Sequence, residues 1–334
     1  MLRFIVRRLL QLIPILLGLS VLLFAWLRSL PGGPAQAALG ERATPEAIAR
    51  YNELFGLDQP LYVQYLRFLG RALQLDFGTS ARTGRPVTDE FLERMPGTIE
   101  LTVVAMVFAI GVGIPLGYLA ARRHGSWLDS TSVIASLLGV TVPVFFLAYL
   151  LRLLFAVELG WLPGSGRQEV RIDATRITNF YVLDGLITRE WDAAWDAFLH
   201  LLLPALALAT IPFAVIFRIT RASVLDVLDE DYVRTAEAKG LTTRVIRARH
   251  VLRNAMLPVV TTIGLQIGGL LSGAVLTETV FSYRGVGDAL ATAFREKDYP
   301  VLQVLILAAA VIFVLVNLLV DIAYALIDPR IRTR

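Results

Sequence analysis

The sequence predicts an all-α, polytopic membrane protein with six transmembrane helices, and three observations carry that prediction. Of its 334 residues 56% are hydrophobic and only 18% charged, with a mean hydropathy of +0.63; soluble domains average roughly 45–50% apolar and about 25% charged residues. Six stretches are apolar for long enough to cross a hydrocarbon core of roughly 30 Å, which takes about 20 helical residues. None shows the alternation over about ten residues that marks a barrel strand.

In chain order the spans are Leu9–Leu27, Leu101–Ala121, Val133–Val157, Phe198–Phe217, Pro258–Thr277 and Val301–Val320. Many of the 15 prolines and 25 glycines lie inside apolar stretches, where neighbouring helices satisfy the backbone groups they free. The chain divides into an N-terminal transmembrane helix (1–30), an external loop with short helices (31–97) and a five-helix core (98–334) containing a loop at 218–257. In the external loop, Thr44-Pro45-Glu46 has the form of an N-cap, a proline at the first helical position and an acidic first turn. That helix ends at Gly56, and Leu61, Tyr65, Phe68, Leu69 and Leu73 pattern a second, amphipathic helix over 60–75. Both read as a cap on the outer ends of the spans.

Charge sets the orientation. With the N-terminus inside, segments 1–8, 122–130, 218–257 and 328–334 hold 16 Lys+Arg against 7 Asp+Glu, whereas 28–97, 158–197 and 282–300 hold 15 against 18. The positive-inside rule therefore predicts that both termini are cytoplasmic, in the inner (plasma) membrane. A competing reading takes Arg3, Arg7, Arg8 and the apolar stretch as a secretory signal cleaved after Ala35-Gln36-Ala37. Signal cores run to about 15 residues, and the 19 here favour a retained helix. Without cysteine, disulfides, thiol catalysis and Cys-ligated metal sites are excluded. The pI near 9.5 rests on arginines beside apolar segments, so lipid rather than nucleic acid is the partner they imply.

The loop 218–257 is the most informative soluble element. Residues 223–239 predict a helix with acids early (Asp226, Asp229, Glu230, Asp231) and bases late (Arg234, Lys239), an order that suits the macrodipole. Gly240 is its natural C-cap, and Thr242 and Thr243 can start the next helix. A basic face follows at Arg244, Arg247, Arg249, His250 and Arg253. A capped helix–Gly–helix element between two spans suits the docking of a partner.

DYVRTAEAKG at 231–240 and RHVLRNAMLPVV at 249–260 resemble the EAA loop of ABC-importer permeases, in the wording of the dipeptide, oligopeptide and nickel branch. Where the generic motif has Glu-Ala-Ala, this chain has Arg234-Thr235-Ala236, and the generic Leu-Pro comes later, at Leu257-Pro258; both departures look like that branch. MLRFIVRRLLQLIPILLG, LDFGTSARTGRPV, PGTIELT, FSYRGVGDAL and the ending around DPRIR extend the resemblance over essentially the whole chain. It implies a type I importer permease, not an enzyme, that passes peptides or a similar small solute by alternating access. It also implies a homologous second permease, two cytoplasmic ATPases that bind ATP and Mg, and an external solute-binding protein met by loops carrying Trp161, Trp191 and Trp195. Arg234, Thr235, Ala236, Glu237, Ala238, Lys239, Gly240, Leu241, Arg244 and Arg247 would then dock the ATPase. This chain has no G-x-x-x-x-G-K-[ST] loop of its own, so no catalytic residue and no cofactor is assigned to it.

Ionisable groups at membrane depth are functional hypotheses by default. Glu100, Arg152, His200, Glu278 and Asp321 are the candidates. Glu278 and Asp321 near span ends read as reaching interfacial water, Arg152 as snorkelling outward, and His200 as bonded locally; no His cluster suggests a metal. Gly264, Gly268, Gly269, Ser272 and Gly273 mark close helix packing and a possible translocation path. An ion-coupled secondary transporter would need charged relays or broken-helix pairs, and an intramembrane hydrolase a nucleophile with its base. The sequence displays neither.

Overall fold

The computed structural model describes residues 2–29, 35–36, 39–40, 43–80 and 82–327; the proposed cleavage after Ala37 and the arginines at 330–334 lie outside them. The side chains of 2–8, 27, 54–55, 271–273 and 319–327 are likewise not described, so Ser272, Gly273 and Asp321 are not placed beyond their helices. The architecture is all-α. Among the described residues these α-helices run in order: α1 (Leu2–Ser29), α2 (Pro45–Phe55), α3 (Leu61–Leu73), α4 (Val87–Arg122), α5 (Trp127–Thr141), α6 (Val144–Leu151), α7 (Tyr181–Ile187), α8 (Trp191–Leu228), α9 (Asp231–Ala238), α10 (Thr243–Val245), α11 (Arg253–Val280), α12 (Val286–Glu296) and α13 (Tyr299–Ile327). π-helical segments extend α6 over Arg152–Glu158 and join α10 to α11 over Ile246–Leu252.

Among the described residues four helices (α1, α4, α8 and α13) are long and apolar enough to span by themselves, and counting each of two bent pairs as one span brings the number to six. The third predicted span is not one rod: Trp127–Thr141 meets Val144–Glu158 at 106°. Pro143 is the cause. It has no N–H to donate and forces Val142 into an extended conformation (ψ 124°), which ends the first helix. The second pair, Thr243–Leu270 with Ala274–Val280, bends by 54°. A broken-helix pair is therefore present, and its supposed absence does not argue against an ion-coupled carrier.

The centre of the bundle is the crossing of α4 with α8. Along α4, Ala105, Ala109, Gly113 and Gly117 recur every four residues on one buried face, the small-residue spacing that lets helices approach. A Cβ on Gly117 would come within 2.7 Å of the Phe217 carbonyl and 2.9 Å of Thr220. Leu101, Leu201, Leu203, Leu208, Ile216, Val259 and Leu270 fill the core around this crossing. α2 and α3 form as predicted: Thr44 Oγ1 accepts from Ala47 N, and Gly56 closes α2 at φ +63°.

Candidate functional site

The 218–257 loop folds differently from the single helix predicted over 223–239. α8 continues to Leu228, the chain turns extended at Glu230, and a separate eight-residue helix, α9, starts at Asp231. Asp226 and Asp229 thus fall at the end of α8 and Asp231 in the first turn of α9, so only the last profits from a helix dipole. The C-terminus of α9 follows the prediction. Gly240 takes the left-handed conformation (φ +72°), its N–H reaches the Glu237 carbonyl at 2.9 Å and Leu241 N reaches Ala236 O at 3.3 Å. This pair of bonds is a Schellman cap. Space around Gly240 is open, so a side chain there would strain the backbone by about 1–2 kcal/mol without a clash. Thr242 stands at the start of α10, but its hydroxyl makes no capping bond.

α9 has two faces. Val233 and Ala236 are buried with Ala121, Val224, Ile246, Val251 and Ala255, a small core separate from that of the main bundle. Tyr232 Oη accepts from Asn254 Nδ2 at 3.1 Å, which adds a tie to α11. Arg234, Thr235, Glu237, Ala238, Lys239, Gly240, Leu241 and Arg244 are exposed, and Arg247 is half-buried. Of the ten docking residues named above, Ala236 is thus turned into the protein, away from any partner's surface. α9 is packed against residues from α4, α8 and α11.

A second cluster braces the same end of the molecule. Arg221, on α8, donates to both carboxylate oxygens of Asp129 at 2.6 and 2.8 Å. Asp129 also accepts from Gly125 N, and His124 lies 3.0 Å away. Such a bidentate pair fixes orientation as well as distance; it ties the first half of the broken span to α8, some ten residues before α9.

The charged groups near the opposite ends of the spans are structural, and two readings above need correction. Glu278 does not reach interfacial water: it is 0% exposed. One oxygen accepts from Thr98 Oγ1 at 2.7 Å and the other from Asp288 N at 2.9 Å, in the first turn of α12. Thr98 Oγ1 accepts in turn from Val286 N at 2.8 Å. The carboxyl group therefore caps α12 from a neighbouring helix and fastens α4, α11 and α12 together. Gly285 and Gly287 leave room for it, since a Cβ at 285 would overlap the carboxyl group. Arg152 does not snorkel outward either: its Nη1 donates to the Val280 carbonyl at 2.6 Å, a cation at the C-terminus of α11. His200 is bonded locally as predicted, Nδ1 lying 2.9 Å from Asp196 O.

Sequence reasoning left Glu100 as a boundary residue, and here it meets a partner 67 positions away. Arg167, 5% exposed, donates to Glu100 at 2.8 Å and to the Asn179 carbonyl at 2.7 Å. Its guanidinium sits 3.8 Å from the centre of the Tyr181 ring, a cation–π contact. Of the predicted path residues, Gly264 and Gly268 are buried. Gly268 faces α13, where a Cβ would meet Phe313 at 3.0 Å, so this glycine serves helix packing. Trp161, Trp191 and Trp195 are exposed.

Comparison with known proteins covers both halves of the chain. Residues 113–333 match the family "Binding-protein-dependent transport system inner membrane component", and residues 1–102 match the N-terminal family of the same systems. The dipeptide transport system permease protein DppB of Alkalihalophilus pseudofirmus is 46% identical over 99% of this chain and all of its own length. The di/tripeptide transport system permease protein DppB of Pseudomonas aeruginosa is 47% identical over 99% of each chain. The glutathione transport system permease protein GsiC of Escherichia coli is 41% identical over 99% of each. The chain is the permease component of an ABC importer, in which ATP hydrolysis resides in separate subunits. It belongs to the binding-protein-dependent transport system inner membrane component family, as the resemblance carried by DYVRTAEAKG and RHVLRNAMLPVV implied.

Proposed function

We propose that this permease passes di- or oligopeptides across the membrane by alternating access, paired with a homologous permease and driven by two ATPases that bind the outer face of α9. The termini and the 218–257 loop are cytoplasmic in this reading, the external loops receive a solute-binding protein, and ATP and Mg stay with the ATPases. The peptide substrate is supported by the names of relatives that are 46–47% identical over 99% of the chain. Docking is supported above all by the division of α9 into an anchored face, Val233 and Ala236, and an exposed face running to Leu241. A short helix held on one side and free on the other transmits a rigid-body movement to the spans it grips.

Ala238→Arg tests the reading. Ala238 is exposed near the end of α9, and Ala and Arg differ by only a few tenths of a kcal/mol in helix propensity, about 0.2–0.3, so the fold should survive. The variant should keep the wild-type thermal midpoint while losing co-purification with the ATPases and losing peptide-stimulated ATP hydrolysis in proteoliposomes. Unchanged co-purification and hydrolysis would exclude α9 as the docking element.

A further inference from the structure

α3 carries an apolar stripe that the described residues leave largely uncovered. Tyr62, Leu66 and Leu73 are 69%, 62% and 79% exposed, and with Leu69 they share one helical face at 62, 66, 69 and 73. The remaining surface is of another kind. Gln64 is buried and donates to the Leu57 and Gln59 carbonyls at 2.7 and 2.6 Å, while Tyr65 and Phe68 pack on Phe24. Arg67 and Arg71 lie on the side opposite the stripe, Arg71 paired at 3.0 Å with Asp76 just beyond the helix.

Its contacts with α1 set the depth of this helix. Tyr65 Oη is 2.8 Å from Ser20 Oγ, its ring meets that of Phe24 edge-on at 5.3 Å, and Arg28 Nε donates to Gln64 Oε1 at 3.0 Å. Ser20 and Phe24 belong to the spanning stretch Leu9–Trp26, so α3 touches α1 within the apolar stretch as well as at Arg28, just past its end. One turn before those two residues, Leu17 and Val21 are exposed, and only 17% of the α1 stretch is buried within the chain. Within the chain, the stripe and this flank of α1 are both left largely uncovered. At the end of that stretch Trp26 meets Tyr299 at 6.2 Å, residue types that favour a membrane interface.

We infer that α3 is an interfacial helix, seated at the boundary of headgroups and acyl chains in the leaflet at the Arg28 end of α1. Tyr62, Leu66, Leu69 and Leu73 enter the acyl region, and Arg67 stays at the level of the phosphates, to which its charge is complementary. The segment thus supports the first span from the side, as a wedge in the bilayer, where the sequence suggested a cap above it.

The cysteine-free sequence allows a direct test in the assembled transporter, reconstituted in nanodiscs of phosphatidylcholine and phosphatidylglycerol. Single variants L66C and L73C are compared with V170C, whose parent side chain is fully exposed in a loop, and with L22C on the exposed flank of α1. A membrane-impermeant maleimide should react about tenfold more slowly at 66 and 73 than at 170, because it needs a water-exposed thiolate. Bimane attached at 66 or 73 should be quenched by brominated lipid as strongly as at 22. Reaction at the rate of V170C would overturn the inference. So would protection from maleimide without quenching by lipid, which would mean that protein covers the stripe. Co-elution of the variants with their partner subunits shows that each has folded, and the two positions allow one to fail.

Discussion

Replacing Glu278 separates a structural carboxyl group from a merely buried one. Glu278→Ala removes the acceptor of two hydrogen bonds, leaving Thr98 Oγ1 and Asp288 N without it in a site that is 0% exposed. Each unsatisfied buried polar group costs about 1–3 kcal/mol, and the cavity left by truncation adds to that. A total of about 3–5 kcal/mol follows from these ranges. At roughly 2–4 °C per kcal/mol, the conversion for chains of about 150–250 residues, the apparent melting midpoint should fall by about 6–20 °C. Glu278→Gln fills the same volume. Its amide oxygen can face Asp288 N, and its NH2 can donate to Thr98 Oγ1, which has a lone pair left after accepting from Val286 N. That variant should lose no more than about 1 kcal/mol. The assay is thermal unfolding of the purified permease in detergent at one fixed scan rate, since membrane-protein melts are read kinetically. Thr98→Val, alone and combined with Glu278→Ala, supplies a double-mutant cycle. An Ala variant melting within about 1 °C of wild type, or a cycle with no coupling, would refute the tertiary cap.

Three other outcomes follow from the same geometry. Removing either member of the buried pair, Glu100→Gln or Arg167→Met, should cost about 3–5 kcal/mol because it strands the other charge, whereas the double variant should recover much of the loss; equal melting midpoints for single and double variants would contradict this. Asp184 is buried in the first turn of α7, and burial pushes its carboxyl up. The Thr178 hydroxyl and the backbone N–H groups of Thr178, Ile177 and Asn179 outweigh that and hold it below the usual carboxylate range. A depressed carboxyl contributes its full stability above the unfolded value of about 3.9 and loses it as pH falls through the folded value. Melts taken from pH 5 downward should therefore flatten in Asp184→Asn, and an unchanged acid slope would count against it. Gly285→Ala should destabilise by forcing a methyl group into the Glu278 carboxyl, and a wild-type midpoint would show that the close approach is unimportant.

Much of this molecule is legible one segment at a time. Hydropathy over about 20 residues sets the number of spans, because the bilayer imposes a length on each helix irrespective of its neighbours. The caps of α2 and α9 were readable for a similar reason: Thr44 and Gly240 satisfy backbone groups three to five residues away. Pro143 also carried a local signal, a break in the third span, which hydropathy averaging smooths over. The α4–α8 crossing was written in the four-residue spacing of Ala105, Ala109, Gly113 and Gly117, although a small-residue stripe does not name its partner helix.

What only the tertiary structure decided are the partners of charged groups far apart in sequence. Glu278 with Thr98, Arg167 with Glu100, and Arg221 with Asp129 are separated by 180, 67 and 92 positions. Each looks, as a residue alone, like a group reaching water or lipid headgroups, because a single chain position carries no record of what will fold against it. The same holds for the two faces of α9 and for the depth of α3. The sequence by itself determined that this chain crosses the membrane and presents a capped loop between two spans. Packing decided which side of that loop is free, since burial is a property of neighbours brought together by the whole fold.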